Sequence, residues 1–140
     1  MTKAILVLNG LEFSVLNPTS FIVPKSKSMV HQMAVPLFGD LHLHLKIKES
    51  SISILNNLGE KGIPINGKIS VFRTKDSGDK KLYDIEFEKA RLEVFLVHYD
   101  QEEQPVYIEI CLMPRVQKVG NIIVNRGLKP NLQSKLAISE

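Results

Sequence analysis

Apolar and polar residues alternate strictly from Asp40 to Lys48. Leu41, Leu43, Leu45 and Ile47 fall on one face, and His42, His44, Lys46 and Lys48 on the other. A period of two predicts a half-buried strand. The period then changes. Ser50 and Ser51 offer N-caps, Ile52 and Leu55 share a helical spacing with Ile54 and Leu58, and Gly59 is placed to close the helix in a left-handed turn. No other segment carries a helical pattern, and this one predicts a helix of about two turns.

The remainder reads as strands. Lys3–Leu8 and Leu11–Leu16 flank Asn9-Gly10, which predicts a hairpin with a type I′ turn, because both central residues of that turn need positive φ. Asn17-Pro18 breaks the second strand, and Ser20–Val23 predicts a third, ending at Pro24. Ile65–Thr74 follows the helix, with Asn66-Gly67 near its start, and Lys75–Asp79 is a polar turn. In Lys81–Glu88, Tyr83, Ile85 and Phe87 oppose Asp84, Glu86 and Glu88. Leu92–Tyr99 is apolar on both faces, which predicts a strand buried on both sides. After a turn at Asp100–Gln104, the strand Val106–Leu112 directs Val106, Ile108, Ile110 and Leu112 inward and Tyr107, Glu109 and Cys111 outward. Ile122–Val124 is a last short strand. About eight strands with turns every 8–12 residues predict a mainly β fold, a small barrel or sandwich covered by one helix. Residues 1–126 are expected to form a single domain and residues 127–140 a loose tail.

Residues 25–38 fit neither period. Lys25–Ser28 is basic and polar; Met29, Val30, Met33, Val35, Leu37 and Phe38 then follow, interrupted by Pro36. Long loops in small domains are often functional. One this apolar requires a cover, from its own barrel or from another subunit.

A chain of 140 residues is most simply one domain. Its net charge of +3, from 18 basic and 15 acidic residues, is too small and too mixed to argue for nucleic acid. The single cysteine, Cys111, excludes a disulfide within the chain and a cysteine-rich metal site. The apolar run Ala4–Leu8 is too short for a signal-peptide core, and no stretch approaches a membrane span. The expectation is a cytoplasmic protein without membrane insertion, exported already folded if it leaves the cell.

Candidate chemistry is sparse. His42 and His44 form an H-x-H pair able to bind zinc, but they need a third ligand. His31 and His98 lie far off in sequence, and Lys46 and Lys48 on the same face disfavour a cation. The row is therefore read as solvated or subunit-facing, and no metal or other cofactor is expected. Asp84, Glu86 and Glu88 line one strand face without a nearby His or nucleophile, which fits a charged face that meets the His/Lys row, across a sheet or between copies. Ser50, Ser51 and Ser53 are explained by capping. Phosphate loops and dinucleotide fingerprints are absent. A structural role is expected, not an enzyme.

The order of these features resembles a known family. The segments K-A-I-L-V-L-N-G-L-E-F-S-V-L (Lys3–Leu16), G-D-L-H-L-H-L-K-I-K-E-S-S-I-S-I-L-N-N-L (Gly39–Leu58), K-L-Y-D-I-E-F-E-K-A (Lys81–Ala90) and K-V-G-N (Lys118–Asn121) carry it. Over residues 3–126 the chain resembles the Hcp (TssD) tube proteins of type VI secretion systems, most of all their Bacteroidetes branch. The resemblance implies a small β-barrel with one flanking helix. It implies a homo-oligomer, six copies to a ring, with rings stacked into the inner tube of a contractile injector that carries effectors. Sheath, spike and effector proteins would be its other partners, and export would need no signal peptide. The family's ring-to-ring loop falls on Lys25–Phe38, which assigns Met29, Val30, Met33, Val35, Leu37 and Phe38 to stacking. The rows His42, His44, Lys46, Lys48 and Asp84, Glu86, Glu88 are candidates for the lumen or the subunit interface. Two other readings stand beside this one: a monomeric barrel binding a small ligand or an oligonucleotide, and a zinc enzyme built on His42 and His44.

Overall fold

The computed structural model describes residues 1–23, 38–48 and 51–126. Within them lie nine strands and one helix. In chain order they are β1 (Thr2–Leu8), β2 (Leu11–Val15), β3 (Ile22–Val23), β4 (Asp40–Lys46), α1 (Ser51–Lys61), β5 (Ile65–Lys75), β6 (Gly78–Tyr99), β7 (Pro105–Met113), β8 (Val116–Val119) and β9 (Ile122–Asn125). Antiparallel pairing runs β2–β1–β5–β6–β7–β4 and returns to β2, so six strands close a barrel. β3 extends the sheet beyond β4, and the β8–β9 hairpin extends it beyond the first half of β6.

The alternation of sequence becomes the inside and outside of this barrel. Leu41, Leu43 and Leu45 of β4 are fully buried, as are Ile108, Ile110 and Leu112 of β7 that stand opposite them. Leu6, Leu8, Phe13, Ile69, Ile85 and Phe87 fill the remaining interior. Each such side chain contributes about 1.5–3 kcal/mol by leaving water. Val106 departs from the expected inward row: it is half exposed, because the pairing partner of Tyr99 is Pro105 and the hairpin end lies beyond the core.

Asn9 and Gly10 both take positive φ and join β1 to β2 in a two-residue turn, as the pattern predicts. At Gly67 the close approach is steric. A Cβ there would lie 2.6 Å from the carbonyl oxygen of Val7 and 2.7 Å from Phe87.

β6 joins two segments that the sequence presents as separate strands. Its first half pairs β5 and its second half pairs β7. Between them Lys89 takes φ 53°, and its N–H donates to Asn66 Oδ1 at 2.9 Å. This is a bulge, and it moves the inward set from Ile85 and Phe87 to Ala90. A second irregularity lies between Leu92 and Val94. Leu92–Tyr99 reads as apolar on both faces because Val94 and Leu96 stand on the outward face, opposite Cys111 and Glu109, while Leu92, Phe95 and Val97 pack on the core. It is not buried on both sides: Phe95 and Val97 pack on the core, whereas Leu96 is 50% exposed and Tyr99 61%. Strand β8 was hidden from the periodicity, being four residues with only Gln117 and Val119 buried.

The helix runs one turn further than predicted. Gly59 lies within it and faces Leu92, where a Cβ would stand 3.1 Å from Cδ2; Gly62, at φ +62°, follows its last turn. Leu55 is its fully buried anchor, with Ile52 and Leu58 packed beside the core. Ser50 lies outside the described residues. Ser51 turns its hydroxyl backwards, donating to the Lys48 carbonyl at 2.6 Å and accepting the Lys48 N–H at 2.9 Å. That clasp ties the end of β4 to the start of α1.

Candidate functional site: the outer face of β4, β7 and β6

The register of three strands builds a small grid on the barrel's outer surface. His42 stands opposite Cys111, which stands opposite Val94. His44 stands opposite Glu109, then Leu96. Lys46 stands opposite Tyr107, then His98. All nine alternate with core residues on the same strands, so the buried leucines and isoleucines fix where these side chains project.

Glu109 is the hub. Its Oε2 accepts from His42 Nε2 at 2.5 Å and its Oε1 from His98 Nε2 at 2.7 Å. Those two hydrogen bonds, from His42 and then His98, outweigh the opposing effect of burial and hold its carboxyl below the ordinary value of 4.5. Tyr107 is packed between two imidazoles. Its ring centroid lies 4.3 Å from that of His98, nearly parallel, and 4.9 Å from that of His44. His42 and His44 meet edge to face at 5.6 Å. Ligand atoms of His42, His44 and Glu109 all lie within 4.8 Å of one another.

The sequence separates these groups widely. The pairing partner of the His row is 67 residues from His42. Periodicity alone places Glu109 and Tyr107 outward, yet nothing in it says that β7 lies beside β4.

The acidic row lies elsewhere. Asp84, Glu86 and Glu88 are on the first half of β6, opposite Ser70 and Lys68 of β5 and Lys118 of β8. Within one chain they do not meet the His/Lys row. Asp84 accepts from the Ser70 hydroxyl at 2.6 Å and from Lys81 Nζ at 3.3 Å. Lys48 leaves the polar row too, its Nζ donating to the Glu12 carbonyl at 2.5 Å, while Lys46 remains exposed.

Met29, Val30, Met33, Val35 and Leu37 lie outside the described residues. Phe38 is partly buried against the core. Beside it, at the start of β4, is a polar knot that sequence reading missed. Gln117 is buried, and its Oε1 accepts from the Gly39 N–H at 3.1 Å and from Arg126 Nη2 at 2.6 Å. Arg126 Nη1 lies 3.7 Å from Asp40 Oδ1. These contacts tie β8 and the end of β9 to the first residue of β4.

No known sequence family matches the chain, and no characterised protein matches it in sequence. Solved structures do. Hcp1 from Flavobacterium johnsoniae aligns with a TM-score of 0.60 at 14% identity, covering 88% of this chain and 98% of that one. Another Hcp protein aligns at 0.63 and 10% identity, covering 92% and 100%. The secreted protein Hcp3 from Pseudomonas aeruginosa aligns at 0.56 and 12% identity, covering 89% and 96%. The chain therefore has an Hcp-like fold: among the described residues, a closed six-stranded barrel with extra strands and one short helix.

Proposed function

We propose that this chain is a structural subunit that closes into rings, six copies to a ring, and stacks into the inner tube of a type VI secretion or related contractile injection system. The observation that carries this reading is the likeness of the whole described fold to Hcp structures, at near-complete coverage of each. The surface agrees with it. Leu96, Tyr99 and Val106 near the β6–β7 hairpin, and Ile122 and Ile123 of β9, are half or more exposed, as suits subunit contact. The barrel interior is filled by side chains, which disfavours a ligand held inside it. Residues 1–126 are the assembling domain. Met29, Val30, Met33, Val35, Leu37 and Phe38 are assigned to contact between rings, and sheath, spike and effector proteins are the wider partners. No described helix is long and apolar enough to cross a membrane, in keeping with export as a folded protein.

Solution mass by light scattering, with negative-stain images of the same fraction, tests the reading. A ring of about 95 kDa is expected from six copies of a 15.8 kDa chain. A chain that stays at 15.8 kDa at high concentration would sink the tube assignment and favour a monomeric binding module.

A further inference from the structure

We propose that the outer face of β4 and β7 binds one zinc ion per chain through His42, His44 and Glu109, with His98 as the positioning residue for the carboxylate.

Two imidazoles and a carboxylate are a donor set that zinc accepts, and three protein ligands leave a fourth position open to water or to a donor from another molecule. Here all three ligand atoms lie within 4.8 Å of one another. Ligands at about 2.0–2.1 Å from a tetrahedral zinc stand about 3.3 Å apart. Small side-chain rotations therefore suffice, chiefly to open the 2.5 Å contact between His42 Nε2 and Glu109 Oε2. The ion takes the place of the proton between them. His42 then coordinates through a lone pair, its proton shifting to the other ring nitrogen or leaving to solvent.

The backbone supplies the precision. His42 and His44 are alternate residues of one strand, and Glu109 stands directly opposite His44 on its neighbour. All three strands are pinned from beneath by Leu43, Ile110 and Phe95. The second carboxylate oxygen is already engaged by His98 at 2.7 Å, which leaves Oε2 on the side of His42. Tyr107 stacks on the ring of His98 and packs at a tilt against that of His44, which restrains both imidazoles. Hydrogen-bonded carboxylates and oriented imidazoles are the supports that metal ligands ordinarily have. Of the two lysines in the row, Lys48 is turned to the Glu12 carbonyl, and Lys46 sits one pair beyond, opposite Tyr107. The side chains of His42 and Glu109 are 42% and 17% exposed, so an ion reaches them from solvent.

The test uses the full chain without a histidine tag, stripped with chelator and titrated with zinc chloride by calorimetry. Cobalt substitution reads the geometry through its visible d–d absorption. One equivalent is expected, with affinity at least tenfold weaker in His42→Ala, His44→Ala and Glu109→Gln and unchanged in Glu86→Gln. His98→Phe keeps a ring on Tyr107 but loses the hydrogen bond to Glu109, and about 10–100-fold weaker binding is expected. Circular dichroism of the zinc-free variants confirms that each is folded. The absence of stoichiometric binding, or binding undiminished in the folded Glu109→Gln variant, would overturn the site. Solution mass with and without zinc reports on ring formation separately, so either reading can fail while the other stands.

Discussion

Asn17 holds His44 across the barrel's narrowest pairing. Only Val15 and Leu45 face each other as regular partners between β2 and β4. Beyond them the Asn17 side chain takes over: its Oδ1 accepts the His44 N–H at 3.0 Å, and its Nδ2 donates to the His42 carbonyl at 2.9 Å. A side-chain amide thus stands in for a missing backbone pair and seals the seam. The same contact fixes the strand that carries both histidines.

Asn17→Ala should therefore destabilise the barrel by about 1–3 kcal/mol, because two half-buried backbone groups lose their partners. Urea denaturation measures it. A midpoint equal to wild type would show that the seam closes without the amide.

Gly67→Ala should cost about 3 kcal/mol or more. Overpacking costs about 1–3 kcal/mol when neighbours can shift, but here the first obstacle is the Val7 carbonyl, part of the β1 backbone. The expected readout is a large fall in thermal midpoint. Gly10→Ala, whose Cβ meets nothing within 4 Å, isolates the contribution of positive φ at that turn for comparison.

Arg126→Met should loosen the start of β4. It removes the 2.6 Å hydrogen bond to the buried Gln117 and the cation beside Asp40. A loss of about 1–3 kcal/mol is expected in denaturant unfolding. Arg126→Lys should recover little, since an ammonium cannot reach Gln117 and Asp40 in the guanidinium's planar arrangement.

Asp84 should give an acid-dependent increment of stability. Burial alone would raise its carboxyl, but the Ser70 hydroxyl, then the Lys81 hydrogen bond and charge and the Lys68 charge, together hold it below the ordinary 3.8. A group depressed on folding contributes stability above its unfolded value, and loses that contribution as pH falls through its folded value. Asp84→Asn should thus be less stable than wild type near neutrality. The gap should close below the ordinary carboxylate range, as paired denaturation curves across pH would show. A gap of constant size at every pH would remove the ionised carboxylate from the account.

Leu37→Asp should leave the barrel folded and weaken assembly, measured as a shift of solution mass towards 15.8 kDa. Phe38→Asp is the less clean variant, because Phe38 also packs beside the core and its loss touches stability. Unimpaired assembly of Leu37→Asp would move the ring contact elsewhere.

Much of the fold was legible where one face is dry and the other wet. The inward leucines of β4, the opposed rows of Lys81–Glu88 and the Asn9-Gly10 turn follow from local chemistry, and the structure bears them out. Legibility failed where geometry interrupts the period. Lys89 and the shift before Val94 re-phase β6, and apolar Val94 and Leu96 stand on its outward face, so no period separates the two faces of the run. Gly59 looked like a helix terminus because its contact with Leu92 is a tertiary fact. The histidine cluster was half legible. His42 and His44 announce themselves by spacing; Glu109 and His98 join them only through strand pairing, which local pattern does not encode.

That pairing also sets a clock on biogenesis. β4 must wait for β7, and β1 for β5, before its second edge finds a hydrogen-bond partner. Folds dominated by such distant pairings form slowly, on a scale of about milliseconds to seconds. A ribosome that has delivered β4, which ends at Lys46, has 67 more residues to add before Met113 is made, at about 5–20 residues per second. For those seconds the edge bearing Leu41, Leu43 and Leu45 has no strand to receive it. Slower translation lengthens that exposure, and an unpaired apolar edge is what chaperones exist to shield.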